Sequence, residues 1–139
     1  IISARLSSLY ETAPHGEGYS SPFVNAVMII STTLGPRPLL ALIQGLEREA
    51  GRLRGSGSDD RTLDVDIILH GDNAADEIDL RIPHPRFMKR LFVLVPLAEL
   101  EPGFQLPGGG TAAEAAESEE AEGRIERISS RSRISRKSL

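Results

Sequence analysis

Two carboxylates that are two residues apart, Asp64 and Asp66, lie within the otherwise apolar stretch "LDVDIIL" at residues 63–69. The alternation predicts a β-strand in which both aspartates point to one face, with their Cα atoms about 7 Å apart. Like charges this close disfavour joint ionisation, and a divalent cation relieves the repulsion. Because Mg²⁺ takes carboxylate oxygens together with substrate phosphates and water, the pair predicts a magnesium site. The alternative is an exposed strand face with ordinary polar alternation.

Cationic side chains surround the two aspartates along the chain and strengthen the prediction. They are Arg52, Arg54, Arg61, His84, Lys89 and Arg90. Carboxylates that hold a metal, together with guanidinium groups that hold phosphate charge, are what phosphoryl transfer requires. The alternative for each arginine is a solvated position near a helix end, where a cation is favoured by the helix dipole.

The composition fits one domain and excludes several classes of protein. The chain has 139 residues, of which 40% are hydrophobic but only 4% aromatic, so the core must consist mainly of aliphatic side chains. A net charge of -4 argues against a globally basic nucleic-acid binder. The absence of cysteine excludes disulfides and cysteine metal sites and suits a reducing cytosol. No apolar run reaches the roughly 18 residues of a membrane helix.

The first residues predict that elements precede them. The chain opens on Ile1 instead of Met, and "IISARLSSLYET" already has the composition of a strand. We therefore expect a fragment that lacks its first strand and helix. The expected location is the cytoplasm, although an organellar targeting segment ahead of Ile1 would not be visible.

The remaining elements follow from local patterns. "FVNAVMIISTTL" at residues 23–34 predicts one strand, Pro36 and Pro38 open a helix that continues to residue 54, and "LDVDIIL" is the next strand. The stretches "TAPHGEGYSSP", "GSGSDD" and "GDNAADE" are turns or loops, and "IDLRIPHP" is short and extended. "RFMKRLFVLVPLAEL" predicts one or two short helices, and "EPGFQLPGGG" predicts a loop.

This order of elements predicts an α+β domain over residues 1–110, with a ferredoxin-like antiparallel sheet and helices packed on it. Residues 111–139 differ in composition: an acidic, alanine-rich block precedes a basic, serine-rich block. We expect this segment to be a disordered or marginally helical tail. A basic arm for nucleic acid or an anionic membrane is the alternative.

Several motifs now occur together in one order. "RTLDVDI" is followed by "IPHPRFMKRLFVLVPLAELEP", and upstream lie "SSLYETAPHG", "FVNAV" and "LIQGLEREAGRLR". In these stretches, which run from residue 3 to about residue 107, the chain resembles the 6-hydroxymethyl-7,8-dihydropterin pyrophosphokinases of folate biosynthesis. The ordered set is far more specific than two aspartates alone.

The resemblance implies transfer of pyrophosphate from ATP to the hydroxymethyl group of the reduced pterin, with AMP as the second product. Two Mg²⁺ ions would bind Asp64 and Asp66, and Arg52 and Arg61 would complete the catalytic set. The expected ATP-binding residues are Glu47, Arg54, Ile67, His84 and Arg90. The expected pterin-binding residues are Thr12, Pro14, His15, Phe23, Asn25 and Phe92. An amide edge and an aromatic face suit a flat heterocycle.

The chain also departs from the family pattern. The N-terminal strand, its "GSN" segment and the following helix are absent, the family's "RWGPR" loop is replaced by "GSGSDDR", and the tail after Gly110 has no counterpart. Asp59 and Asp60 add negative charge beside the expected phosphates. Because such a loop must close over ATP, we expect weak catalysis from this chain.

Two further hypotheses stay open at this point. One is a relic that binds nucleotide, pterin or a protein partner without efficient catalysis. The other, from a different class, is a basic-tailed adaptor whose nucleic-acid binding would fall steeply with salt. The expected partners remain ATP and the pterin, without membrane or nucleic acid, in a chain that could belong to a larger folate-pathway polypeptide.

Overall fold

The structure, a computed structural model, describes residues 1–12, 23–53 and 63–128. Its elements in chain order are β1 (Ser3–Leu6), β2 (Tyr10–Thr12), β3 (Phe23–Asn25), β4 (Met28–Ser31), α1 (Pro36–Leu53), β5 (Ala75–Glu77), β6 (Leu80–Ile82), a 3₁₀ helix (Phe87–Lys89), α2 (Leu91–Leu100), α3 (Ala112–Glu117) and β7 (Ile125–Arg127). Helices and antiparallel sheets are mixed, which confirms the α+β class. None of the helices in the described ranges has both the length and the apolar character that crossing a bilayer demands.

The chain divides into two compact units. Unit 1 comprises Ile1 and Thr32–Pro85, and unit 2 comprises Ile2–Ser31 and Arg86–Leu139. Unit 1 therefore contains α1 and the β5–β6 hairpin, whereas unit 2 contains β1 to β4, α2, α3 and β7.

Unit 2 has two small antiparallel sheets, β1–β4 and β3–β2–β7. The prediction of one strand over residues 23–34 was wrong, because the chain changes sheets between Asn25 and Met28. The buried Ser7 holds this crossing: its N–H donates to the Val27 carbonyl at 2.9 Å, and its Oγ accepts from the Val27 N–H at 2.9 Å. Two bonds to one residue fix Val27 where β3 ends and β4 begins.

The apolar core of unit 2 forms around α2. Phe87, Leu94 and Pro96 are its largest fully buried side chains, and α2 packs against α3. The prediction of one or two short helices over residues 86–100 is confirmed by the 3₁₀ helix and α2, with Pro96 inside α2.

Residues 111–128, which were expected to be disordered or marginally helical, contain the short helix α3 and the strand β7. Thr111 and Glu114 form a capping box at the start of α3, and Ala112 is completely buried. β7 then pairs with β2, with Thr12 opposite Ile125. A reciprocal cap satisfies two backbone N–H groups that a helix start otherwise leaves unpaired, and this stabilises the start of the short acidic helix. The tail residues 129–139 lie outside the described residues, and the division of the chain at residue 110 stays a prediction.

In unit 1, helix α1 confirms the predicted helix and begins at Pro36 as expected. Arg37, in its first turn, forms ion pairs with Glu77 and Asp79 of the β5–β6 hairpin, and the bond to Asp79 measures 2.8 Å. This hydrogen bond lowers the pKa of Asp79. The extended segment predicted around residue 81 is confirmed as β6, but β5 lies in a stretch predicted as a turn. β5 forms because it pairs with β6, and the two residues Ile78 and Asp79 connect the two strands.

The strand predicted over residues 63–69 was also wrong: within the described part of unit 1, these residues are not assigned to a strand. The expected alternation of burial is missing too, since Leu63 is 41% and Val65 36% exposed. A strand exists by exchanging backbone hydrogen bonds with a neighbouring strand. In unit 1 the described neighbouring strands, β5 and β6, pair with each other instead.

Candidate functional site

In unit 1, the segment with the two aspartates is tied to helix α1 by Glu47. The Oε2 atom of Glu47 accepts a hydrogen bond of 2.9 Å from the N–H of Val65, the residue between Asp64 and Asp66. Both aspartates are exposed, whereas Glu47 is half-buried. A carboxylate on a helix is a firm anchor, because the helix fixes its backbone. Glu47 thus sets the position of the peptide that joins the two candidate metal ligands.

His84 is tied to the same segment on its other side. Its backbone N–H donates to the Ile68 carbonyl at 2.9 Å, directly after a cis Ile82–Pro83 peptide bond. Ile67 lies between this bond and Asp66 and is half-buried. The structure therefore brings together Glu47, the two aspartates, Ile67 and His84 from three stretches of sequence.

The end of this segment is fixed by His70. One ring nitrogen, Nε2, bonds the Leu34 carbonyl at 2.9 Å, and the other, Nδ1, bonds the Asn73 amide nitrogen at 2.9 Å. A carbonyl can only accept and an amide NH₂ can only donate, so these partners suit a neutral ring that carries its proton on Nε2. This arrangement anchors the chain just after the aspartate segment.

Among the described residues of unit 1, the donor set fits Mg²⁺ but not a metal held by protein ligands alone. No group of three or more His, Asp or Glu residues that could hold a metal occurs among the described residues. Mg²⁺ is commonly bound through one or two carboxylates, with substrate phosphates and water as the other ligands. Two adjacent exposed carboxylates are consistent with an ion that arrives together with a phosphate ligand.

In unit 2, a polar pair lies on neighbouring strands. The Asn25 amide nitrogen on β3 donates to the Thr12 hydroxyl oxygen on β2 at 2.9 Å. Thr12 is buried, and its partner in the strand register is Phe23, which is 46% exposed. An amide offers two N–H donors and one carbonyl acceptor, and the bond to Thr12 uses one donor and fixes the orientation of the group.

An aromatic ring lies at the start of α2 in the same unit. The guanidinium carbon of Arg90 is 5.4 Å from the centre of the Phe92 ring, a cation–π contact. Arg90 is the N-cap residue of α2, and both side chains are half-buried. Arg90, expected near ATP phosphates, thus belongs to the unit that contains the expected pterin residues.

Sequence reasoning missed a hydrogen-bonded cluster in unit 2, formed by Ser8, Tyr10 and Glu99. The Tyr10 hydroxyl donates to Glu99 Oε1 at 2.5 Å, and the Ser8 N–H and hydroxyl donate to Glu99 Oε2 at 2.8 and 3.1 Å. Because 89 residues separate Tyr10 from Glu99, no local pattern could have revealed their contact.

The cluster shifts the ionisation of both acidic groups. Burial, supported by the hydrogen bond and negative charge of Glu99, raises the pKa of Tyr10 to about 12. Burial alone would raise the pKa of Glu99, but the hydrogen bonds from Tyr10 and Ser8 prevail and lower it. Tyr10 therefore remains a neutral donor and Glu99 an ionised acceptor around neutral pH.

The side-chain positions of five other predicted site residues cannot be described. Pro14, His15, Arg54 and Arg61 lie outside the described residues. The backbone of Arg52 belongs to α1, but its side chain lies outside the described part of the structure.

Comparison with known proteins shows what this chain is similar to. The family model for 7,8-dihydro-6-hydroxymethylpterin-pyrophosphokinase matches residues 1–102. The chain is 42% identical over 104 residues to the 2-amino-4-hydroxy-6-hydroxymethyldihydropteridine pyrophosphokinase of Pseudomonas aeruginosa, and this match covers 75% of the chain and 64% of that protein. The enzyme of the same name from Bacillus subtilis is 44% identical over 100 residues, or 72% of the chain and 60% of that protein.

A longer relative is also similar. The protein named "Folate synthesis bifunctional protein, mitochondrial" from Arabidopsis thaliana is 41% identical over 100 residues, which cover 72% of the chain and 18% of that protein. The chain thus matches less than two thirds of the length of the Pseudomonas and Bacillus proteins and a small part of the plant protein.

Proposed function

This chain belongs to the 7,8-dihydro-6-hydroxymethylpterin-pyrophosphokinase family, and from that premise we propose that it transfers pyrophosphate from ATP to 6-hydroxymethyl-7,8-dihydropterin. The observation that carries the proposal is the cluster in unit 1, where Glu47 and His84 hold the segment with both aspartates by two hydrogen bonds of 2.9 Å. The transfer is a step of folate biosynthesis, and AMP is the second product.

The residues of unit 1 would bind the nucleotide. Asp64 and Asp66 would hold Mg²⁺, two ions in the full proposal, and the metal would supply positive charge to offset that of the triphosphate. Glu47 keeps the aspartate segment on α1, and Ile67 and His84 lie beside it. Arg52, Arg54 and Arg61 are proposed to face the phosphates as bidentate donors.

The residues of unit 2 would bind the pterin. Asn25, oriented by Thr12, would hydrogen-bond the polar edge of the ring, and Phe92 would stack on its face. Phe23, Pro14 and His15 would border the ring. Arg90, which rests on Phe92, is proposed to reach a phosphate of ATP.

The chain's catalytic contribution in this proposal is positioning. The attacking hydroxyl and the β-phosphate must lie in line, and a strong base is less important than orientation and exclusion of water. A ferredoxin-like arrangement of the sheet and a cytoplasmic location also belong to the proposal. So does membership of a larger folate-pathway polypeptide, which the plant relative's name suggests.

The test is AMP formation from MgATP by the purified 139-residue chain, with and without the hydroxymethyl dihydropterin. The proposal expects AMP and the pterin diphosphate in equal amounts, and only when both substrates and Mg²⁺ are present. Omission of the pterin controls for contaminating ATPases. Binding of both substrates without formation of product would show that the chain is a binding protein and not an enzyme.

A further inference from the structure

The hydrogen bonds of Glu99 connect the two parts of the proposed pterin site. Glu99 and Phe92 both lie on α2, seven residues apart, so they fall on the same side of the helix to within about 20°. Glu99 accepts from Tyr10 on β2 and from Ser8, which lies two residues before Tyr10. Three donors, two from Ser8 and one from Tyr10, thus converge on one carboxylate, and Tyr10 lies on the strand that carries Thr12.

Strand β2 transmits this constraint to the polar pair. Tyr10 and Thr12 lie two residues apart on one strand face, and both are buried, whereas Glu11 between them is half-buried. In the register, Tyr10 is opposite Asn25, and Asn25 then reaches diagonally to the Thr12 hydroxyl. A shift of β2 along α2 would therefore move the Thr12–Asn25 pair relative to Phe92.

We propose that Glu99 is a positioning residue for pterin binding, which fixes the separation between the amide edge at Asn25 and the aromatic face at Phe92. This inference rests on the proposed function, because it assigns Glu99 a role at the pterin part of that site. A flat ligand that is hydrogen-bonded at its edge and stacked on its face requires both contacts at once. An error in their separation therefore weakens binding even though each contact group is intact.

A nearby acidic residue provides a matched control. Glu101, just after α2, accepts from Arg5 of β1 at 3.2 Å, and both side chains are about half exposed. Substitution of Glu101 removes the same charge at the same end of the helix. Its partner Arg5, however, lies on the β1–β4 sheet, which does not include β2.

The experiment is titration calorimetry of the full chain with 6-hydroxymethyl-7,8-dihydropterin in the presence of a non-hydrolysable MgATP analogue. Glu99→Ala is expected to raise the Kd for the pterin about tenfold, because the separation between Asn25 and Phe92 is no longer fixed. Glu99→Gln should restore most of the affinity, because its oxygen can accept from Ser8 while its NH₂ donates to the Tyr10 oxygen. Glu101→Ala should bind as the unsubstituted chain does, and the Kd for the nucleotide should stay constant throughout.

A merely structural role gives a different pattern. It would lower the melting temperature and the fraction of molecules that bind, while the Kd of the folded fraction stays the same. If Glu99→Ala does not fold, the double variant Ser8→Ala, Tyr10→Phe removes two of the three donors and supplies the same comparison.

The outcomes separate the two proposals. If the unsubstituted chain binds the pterin and neither Glu99→Ala nor the double variant changes its Kd, the role of Glu99 is refuted and the proposed function stands. If the unsubstituted chain does not bind the pterin at all, the proposed function itself fails.

Discussion

The two units hold their candidate site residues in different ways. In unit 2, Thr12 and Asn25 belong to paired strands, and side-chain bonds to each other and, through Tyr10, to α2 fix their positions. In unit 1, both aspartates are exposed on a segment outside any strand, tied by Glu47 and by the His84 N–H. The difference indicates that the proposed pterin residues are preorganised by the fold, whereas the proposed metal ligands depend on a few anchors and on their ligand.

The largest effect should come from the metal ligands. The double variant Asp64→Ala, Asp66→Ala is expected to lower AMP formation by about a thousandfold or more, because without the metal ligands no Mg²⁺ offsets the charge of the triphosphate. It should also abolish Mg²⁺-dependent binding of an ATP analogue in calorimetry. The control is Asp76→Ala, which removes an exposed carboxylate of β5. Equal nucleotide affinity in the double variant and the control would refute the assignment of the metal site.

The next effect should come from the polar pair of unit 2. Asn25→Leu removes the amide that is proposed to pair with the pterin edge and leaves the Thr12 hydroxyl without its donor. The lost hydrogen bonds are worth about 2 to 3 kcal/mol, so the Kd for the pterin should rise roughly 30- to 150-fold. Thr12→Val, which removes the partner alone, should have a smaller effect in the same calorimetric titration. A Kd for Asn25→Leu equal to that of the unsubstituted chain would remove Asn25 from the site.

The anchor of unit 1 should have a moderate effect. Glu47→Ala leaves the Val65 N–H without its acceptor and releases the aspartate segment from α1, so the Kd for the MgATP analogue should rise about tenfold. Glu47→Gln retains an acceptor oxygen and should recover most of the affinity. Fluorescence titration with a labelled ATP analogue provides the measurement. Identical affinities for the two variants would show that the bond to Val65 does not position the site.

The smallest effect concerns stability at high pH. Because the pKa of Tyr10 is raised from 10.0 to about 12 in the folded chain, folding favours the neutral phenol. This contribution is fully present below pH 10.0 and is lost as the pH rises toward about 12. Its loss should lower the free energy of unfolding by about 2 kcal/mol.

Urea unfolding at several pH values between 9 and about 12 gives the free energy of unfolding. Its slope against pH tests this expectation. Tyr10→Phe should flatten the pH dependence in that window, and Phe87→Leu, a core change without a titrating group, should not. If the free energy of unfolding of Tyr10→Phe has the same pH dependence as that of the unsubstituted chain, the pKa of Tyr10 is not raised by folding.

The sequence was most informative where local rules suffice. Two prolines and a regular apolar spacing predicted α1, and its observed start at Pro36 agrees. The capping box of α3 was also readable, since Thr111 and Glu114 have the spacing that marks a helix start, but the acidic composition obscured it. The strand predicted at residues 63–69 failed because strand formation depends on a partner elsewhere in the chain.

The candidate site also contains residues that local sequence reveals and residues that only the fold reveals. The aspartate pair was visible from its spacing alone, and the shared order of motifs supplied the proposed pterin residues. Glu99 was not predicted, because its partners Ser8 and Tyr10 come into reach only through the packing of β2 and α2. Contacts between residues so distant in sequence follow from the fold and not from local propensity.

The central claim, that the two aspartates of unit 1 serve the nucleotide and the polar pair of unit 2 serves the pterin, is tested most directly by measuring the affinity for both substrates on two variants. Calorimetry would compare the double variant Asp64→Ala, Asp66→Ala with Asn25→Leu, each titrated with the MgATP analogue and with the hydroxymethyl dihydropterin. We predict that the first variant loses nucleotide affinity and keeps its pterin affinity, and that the second does the reverse. Parallel loss of both affinities in either variant would contradict the account.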